Sequence, residues 1–279
     1  MKLKQVMASL HEHLRTSSRM KNFNRIVDKA KDRLGEGGIV GLINFNDERY
    51  ERFSELTGYA REFIGKPHSA LRIVPGDLLI VKGQEVPTQQ GHVLIVGLPY
   101  GMQLKTGKNL DYTLDEADEF KAIKIIDHPF FIEGLGPFLE SNPQYIKRFN
   151  AVEVFNGNAE LYIPKITNRG ANKKALEFYS RHNYLFPLIS TDGHSGIGIE
   201  FQDEFCKSFS YLQVPYSSYG GLYDWMCTNT DINKTLRQGL EKHIRPSVLG
   251  MTNTAKLGAL NHLIDLGIIT GLSKIGIKV

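Results

Sequence analysis

Cysteine is almost missing from this 279-residue sequence: only Cys206 and Cys227 occur. A disulfide framework is therefore excluded, and a cytoplasmic setting is the expectation. The pair also lacks the Cys-x-x-Cys spacing of a zinc ribbon or a redox centre. No apolar run approaches the roughly 18 residues of a membrane span, so no membrane partner is expected. The opening stretch MKLKQVMASLHEH has a charged start but only a short apolar segment, unlike a secretory signal. Glycine-loop nucleotide cradles are missing too. No GxGxxG, and no GxxxxGK followed by Ser or Thr, comes after a strand. Internal repeats and low-complexity segments are absent.

Charge of one sign is only mildly in excess. Lys plus Arg number 34 and Asp plus Glu 30, a net +4. The balance is uneven along the chain. Residues 1–35 carry nine basic and three acidic side chains, and residues 231–279 seven and three, whereas residues 36–230 carry eighteen and twenty-four. Basic ends suit an anionic partner, and equally suit solvated helix faces.

What is present describes a globular chain. Apolar residues make up 41% and charged residues 23%, which supports a sizeable buried core and excludes disorder as the dominant state. At ~150 residues per domain, the length fits one large domain or two small ones. Short apolar runs alternate with amphipathic ones. Strands are predicted over Gln5–Leu10, Gly38–Ile43, Asp77–Lys82, His92–Leu98, Lys121–Ile126, Val152–Phe155 and Leu185–Thr191. Helices are predicted over Asn22–Leu34, Asp47–Phe63, Leu114–Phe120, within Gly134–Phe149, and over Ala171–Arg181. This alternation predicts an α/β fold: a distorted barrel of the triosephosphate-isomerase type, with about seven parallel strands and outer helices. An open doubly wound sheet is the alternative. The barrel should span residues 1–232. Residues 233–279, with helices over Thr235–His243 and Ala255–Leu266, form a C-terminal extension packed on it.

Histidines and carboxylates gather at the predicted strand ends, where such barrels place their active sites. His11 and His13 follow the first strand, and alternation puts both imidazoles on one face. Glu85 lies past the third strand, His92 opens the next, and His128 follows the fifth. Asp192 and His194 follow the last. Imidazole and carboxylate together suit zinc, manganese or iron, and a carboxylate such as Glu85 can bridge two cations.

The constellation resembles the PHP family, named for polymerase and histidinol phosphatase. Ser9-Leu10-His11-Glu12-His13 is similar to its Asp-Leu-His-x-His opening. Glu85 with Gly91-His92-Val93-Leu94 is similar to its glutamate and His-Val segment. Ile126-Asp127-His128-Pro129 resembles its His-Pro motif, and Val152-Glu153-Val154-Phe155-Asn156 its Val-Glu-x-x-Asn strand. Ser190-Thr191-Asp192-Gly193-His194-Ser195 resembles its Gly-Ser-Asp-Ala-His-Ser motif. These matches span about two thirds of the chain, in the family's order.

The resemblance implies a metal-dependent phosphoesterase that uses a metal-activated water at a two-metal site. One ion would be held by His11, His13, Glu85 and Asp192, the other by Glu85, His92 and His128. The ions would be divalent manganese, zinc or iron. The substrate would be a small phosphomonoester or a nucleic-acid end.

The sequence departs from the family at a third centre. Ile43-Asn44-Phe45 stands in place of Thr-Asp-His, and Arg15-Thr16-Ser17-Ser18-Arg19 in place of a further ligand, which leaves His194 with few partners. Arg15 and Arg19 are the candidates to replace that charge on a substrate phosphate. Two other functions compete. One is a barrel without catalysis that binds nucleic acid or serves as a scaffold. The other is metal-dependent hydrolysis of a carbon–nitrogen bond, weakened because no strand-end lysine stands in a bridging position. Glu153 is expected to be a satisfied buried acid, and His68, His182, His243 and His262 to be structural. Asn168 is expected to cap the helix at Ala171. The tyrosines at 211, 216, 219 and 223 are expected to be loop packing rather than a base-stacking platform.

Overall fold

A computed structural model of the protein describes residues 3–14, 20–64, 69–74, 77–157, 159, 170–194, 205–206 and 208–215. The expected C-terminal extension, Arg15, Arg19, His68, Asn168, Cys227 and the tyrosines beyond Tyr211 lie outside these residues. The described elements are β1 (Leu3–His13), α1 (Met20–Leu34), β2 (Ile39–Asn44), α2 (Arg49–Leu56), β3 (Arg61–Ile64), β4 (Ala70–Ile73) and β5 (Leu78–Pro87). Then come β6 (His92–Val96), α3 (Leu110–Glu119), β7 (Ile123–Ile126), α4 (Gly136–Ser141) and a 3-10 turn over Pro143–Arg148. They are followed by β8 (Ala151–Asn156), α5 (Ala171–Arg181), β9 (Phe186–Ser190), β10 (Gly193–His194) and β11 (Ser210–Pro215).

The sheet runs β10-β1-β2-β5-β6-β7-β8-β9. Only Thr191 and Asp192 separate β9 from β10, and β10 pairs with the end of β1, so the sheet closes on itself as a barrel. β11 pairs antiparallel with the first half of β1, along the same edge as β10. All barrel strands run parallel except β6, which is antiparallel to both β5 and β7. The reason is short connection. Four residues join β5 to β6, enough for a hairpin but far short of a parallel crossover.

Three apolar clusters support the barrel. Val6, Ala8, Leu10, Ile39, Ile43, Val81, Leu94, Ile123, Ile125 and Leu188 fill its interior. Phe23, Val27, Leu34 and Phe53 of α1 and α2 cover one flank, against Val40, Leu42 and Ile80. Leu110, Leu114, Leu139, Phe178 and Tyr179 cover the other, against Val93, Ile95, Val152 and Val154. Each fully buried Leu, Ile, Val or Phe contributes about 1.5–3 kcal/mol, so this frame can carry a polar centre at one end.

The predicted helix over Asp47–Phe63 is half correct. α2 ends at Leu56, where Thr57 turns extended (φ −63°, ψ 133°) ahead of Gly58, and Arg61–Ile64 joins β4 as a strand. β3, β4, β10 and β11 have no counterpart in the sequence prediction. No helix among the described residues is long and apolar enough to cross a membrane.

Two bulges set what faces inward. In β1 the pairing jumps from Ser9–Val40 to Glu12–Leu42, one extra residue against β2. Inward alternation through Val6, Ala8 and Leu10 therefore switches parity and continues as His11 and His13. Gly41 makes room, since a Cβ there would sit 2.2 Å from the Leu10 carbonyl oxygen. In β8 the pairing jumps from Glu153–Leu188 to Phe155–Ile189. Glu153 and Asn156, three residues apart, consequently share the inner face.

Candidate metal centre

The inner face of the barrel ends in a cluster of imidazoles and carboxylates. His11 and His13 bring their Nε2 atoms to 3.1 Å of each other. Asp192 Oδ1 lies 3.5 Å from the first and 3.4 Å from the second. Glu85 stands between two groups. Its Oε2 is 3.2 Å from His13 Nε2 and 3.6 Å from His11 Nε2, while its Oε1 is 3.2 Å from His128 Nε2 and 2.5 Å from His92 Nδ1. Among the described residues, two sets of donor atoms each lie within 4.8 Å of one another: His11, His13 and Asp192, and His11, Glu85, Asp127 and His128. His11, His13, Glu85, Asp127, His128 and Asp192 are all buried.

Asp127 is the residue that the sequence reading left out of its ligand set. Ile123 and Ile125 face the barrel interior, and the same alternation carries Asp127 inward behind them. The strand's period of two is the sequence signal for this inward placement. Neither Asp127 carboxylate oxygen has a hydrogen-bond partner, and neither does His128 Nδ1. His128 Nε2 lies 3.4 Å from Asp127 Oδ2.

Supporting residues fix the donors. His11 Nδ1 is 2.9 Å from Glu153 Oε1, which leaves Nε2 facing the cluster. Glu153 also accepts from Ser190 Oγ, the His128 backbone N–H and Asn156 Nδ2. It is the satisfied buried acid expected from sequence, and it aims a histidine. Asn156 Nδ2 reaches Asp192 Oδ2 at 3.2 Å. On the outer side of β1, Glu12 accepts from Ser9 Oγ and from the backbone N–H groups of Cys206 and Gly193. The carboxylate leaves no space for a side chain at Gly193, where a Cβ would lie 2.3 Å from Glu12 Oε2.

The electrostatics fit a cluster holding protons where cations would go. Burial favours a neutral His128, but Asp127 and Glu85 outweigh it and push the imidazole up to about 10. For His11, burial is likewise outweighed, by Asp192 and Glu153, and its pKa is raised well above the usual histidine value. Burial alone would raise Glu85, yet hydrogen bonds from His11, His128, His13 and His92 hold it well below the carboxylate range. Asp127 is pushed up to about 6, chiefly by burial. Glu12 is pushed up to about 7, again by burial.

His92 stands at the edge of the cluster and touches it through Glu85. His194 lies opposite His13 in the β1–β10 pairing, but its side chain is outside the described residues. At the expected third centre, Phe45 stacks flat on His13, with ring centroids 4.5 Å apart and planes 2° from parallel. The Arg49 guanidinium lies over the same ring, 4.7 Å from its centroid. Asn44 takes no part in the inner cluster; it binds Glu51 and the Tyr50 backbone instead. His182 packs on Phe178 at 4.6 Å, away from the cluster.

No protein-family model matches the chain, and no curated protein matches it. Solved structures do. A two-domain protein from Bacteroides vulgatus, containing a predicted PHP-like metal-dependent phosphoesterase, superimposes with a TM-score of 0.55 at 16% identity. That match covers 86% of this chain and 70% of the other. Endonuclease Q, in complex with a 27-mer duplex carrying an abasic lesion at the active site, matches with a TM-score of 0.53 at 12% identity. Endonuclease Q from Pyrococcus furiosus matches with a TM-score of 0.50 at 11% identity. This chain covers 57% of each endonuclease Q chain, and 81% of it is aligned in both cases. The resemblance to PHP proteins read from five short motifs therefore holds at the level of the fold, a distorted barrel shared with PHP-like proteins.

Proposed function

We propose that the protein is a metal-dependent phosphoesterase with a two-metal site. The observation that carries this reading is Asp127, a fully buried carboxylate with no hydrogen bond, set among the buried His11, His128 and Glu85. Such a group destabilises the fold unless a cation compensates it. One ion would be held by His11, His13, Glu85 and Asp192. The other would be held by Glu85, His92 and His128, with Asp127 added to that set. Manganese, zinc or iron suits the mixed nitrogen and oxygen donors. Two such ions would supply Lewis acidity and a hydroxide nucleophile at neutral pH.

The chain's own residues orient and enclose. Glu153 turns His11 so that Nε2 faces the ions, and Asn156 holds Asp192. Phe45 covers the His13 ring and keeps water from it. Arg15 and Arg19 are proposed to grip the substrate phosphate. Between the two substrate classes, the endonuclease Q complex favours a nucleic acid over a small phosphomonoester. A barrel without catalysis is the second reading, and Phe45 in place of a ligand beside His13 favours it.

The test strips the purified protein with a chelator and reloads it with manganese, zinc or iron. It is then assayed on p-nitrophenyl phosphate and on oligonucleotides with terminal phosphates. Hydrolysis that vanishes on stripping and returns on reloading is the expected result. Loaded protein that cleaves neither substrate, while retaining oligonucleotide, would favour the non-catalytic barrel.

A further inference from the structure

Glu133 is an exposed residue in an unfavourable backbone conformation, next to a candidate ligand. Its φ is +58°, in the left-handed region where glycine and asparagine are usual. Its side chain is 65% exposed, so core packing does not account for the choice of glutamate. Its partner does. Glu133 Oε2 lies 2.8 Å from His92 Nε2, and the Glu133 carbonyl accepts the His92 backbone N–H at 2.7 Å.

The loop that carries Glu133 is held firmly. The Phe131 N–H donates to the His128 carbonyl, and the Gly134 N–H donates to the Phe131 carbonyl. Gly134 bridges to His92 and presses on the turn after β7, where a Cβ would lie 2.4 Å from the His128 oxygen. The carboxylate is thus delivered to the outer nitrogen of His92, while the inner nitrogen, Nδ1, lies 2.5 Å from Glu85 Oε1.

A neutral imidazole carries one N–H, and the hydrogen bond made by one nitrogen decides what the other can do. Without metal, Nδ1 shares its proton with Glu85; once an ion displaces that proton, the Nε2–H donated to Glu133 leaves Nδ1 as the ligating nitrogen. His11 has the opposite arrangement: Glu153 takes Nδ1 and leaves Nε2 for the cluster. We infer that Glu133 is a positioning residue for metal binding, which accepts the His92 Nε2–H and thereby presents Nδ1 as a donor beside Glu85. This inference rests on the two-metal reading above.

The test uses the full chain with Glu133→Ala, Glu133→Gln and Glu133→Gly. Manganese stoichiometry and affinity are read by competition with a chelating dye. Nitrogen NMR of His92 is read on protein loaded with diamagnetic zinc. In Glu133→Ala the weaker of the two ions should lose about 10- to 100-fold in affinity. The His92 Nε2–H resonance should move upfield, its hydrogen bond to Glu133 being lost. Glu133→Gln keeps an acceptor oxygen and should recover part of both effects. Glu133→Gly should lose affinity as alanine does and melt no lower than wild type, which separates positioning from folding. Unchanged affinity for both ions in Glu133→Ala would overturn the inference, as would an unmoved His92 Nε2–H resonance. If wild-type protein bound neither manganese nor zinc, the two-metal reading would fail; two bound ions with unchanged affinity in Glu133→Ala would overturn the role of Glu133 alone.

Discussion

Strand β5 carries a buried polar cluster on each face, and the two are built to opposite rules. On the outer face, Lys82 donates to Glu51 and to the Met102 carbonyl. Glu51 also accepts from the Asn44 side chain and the Gly101 N–H. Gln84 bonds Leu104 through both its oxygen and its nitrogen. No polar side-chain atom of these residues is left without a partner among those that are buried. On the inner face, Glu85 sits among four imidazoles, and Asp127 beside it has no hydrogen bond on either oxygen. A closed buried network specifies architecture, whereas a network with vacant acceptors is arranged for a cation. Burial alone does not separate the two, since Lys82 is as inaccessible as His11.

The largest expected effect falls on the inner face. Glu85→Ala removes the carboxylate that reaches His11 and His13 with one oxygen and His128 and His92 with the other, so metal should be lost and hydrolysis should fall at least about 1000-fold, roughly 4 kcal/mol of barrier. A thermal melt should still show a folded protein. Wild-type turnover in this variant would remove Glu85 from the bridging position.

On the outer face, Lys82→Met should do the reverse. It leaves Glu51 buried without its cation, which costs about 3–5 kcal/mol of stability. Metal content should be unchanged under conditions where the variant remains folded. Loss of metal at full stability would mean that the two clusters are one functional unit.

A smaller effect sharpens the comparison through its sign. Burial raises the folded-state pKa of Asp127 above its unfolded value, to about 6. Its ionisation therefore destabilises the metal-free fold, progressively as pH rises from the usual carboxylate range through about 6. Asp127→Asn removes that charge. Urea melts of metal-free protein should show the variant equal to wild type in acid and more stable by about 1–3 kcal/mol at neutral pH. The same variant should bind metal more weakly. A variant less stable at neutral pH would place Asp127 among the structural acids, with Glu51.

Much of this centre was legible in the sequence. The His11–His13 pair, Glu85, His128 and Asp192 were found because barrel strands end in short, recognisable motifs. Their convergence followed from the fold. Asp127 was equally accessible, through the alternation of Ile123 and Ile125, but it stands next to a more conspicuous histidine. Other features could not be read locally. The bulges in β1 and β8 depend on a partner strand, and only pairing reveals that Leu10 and His11 face the same side. The contact of Phe45 with His13 joins the turn after β2 to β1, and that of Glu133 with His92 joins a loop to a strand 41 positions earlier. The helix predicted to reach Phe63 failed because tertiary pairing with β4 overrode local propensity.

The most direct test of the account is the metal content of the wild-type chain. Protein reconstituted with manganese, zinc or iron, freed of loose ions and measured by elemental analysis, should carry two ions per chain. Affinity should rise with pH, because His11, His92 and His128 must release protons to ligate and all three hold them more tightly than an ordinary histidine. No bound metal at neutral or alkaline pH, with the barrel folded, would contradict the account.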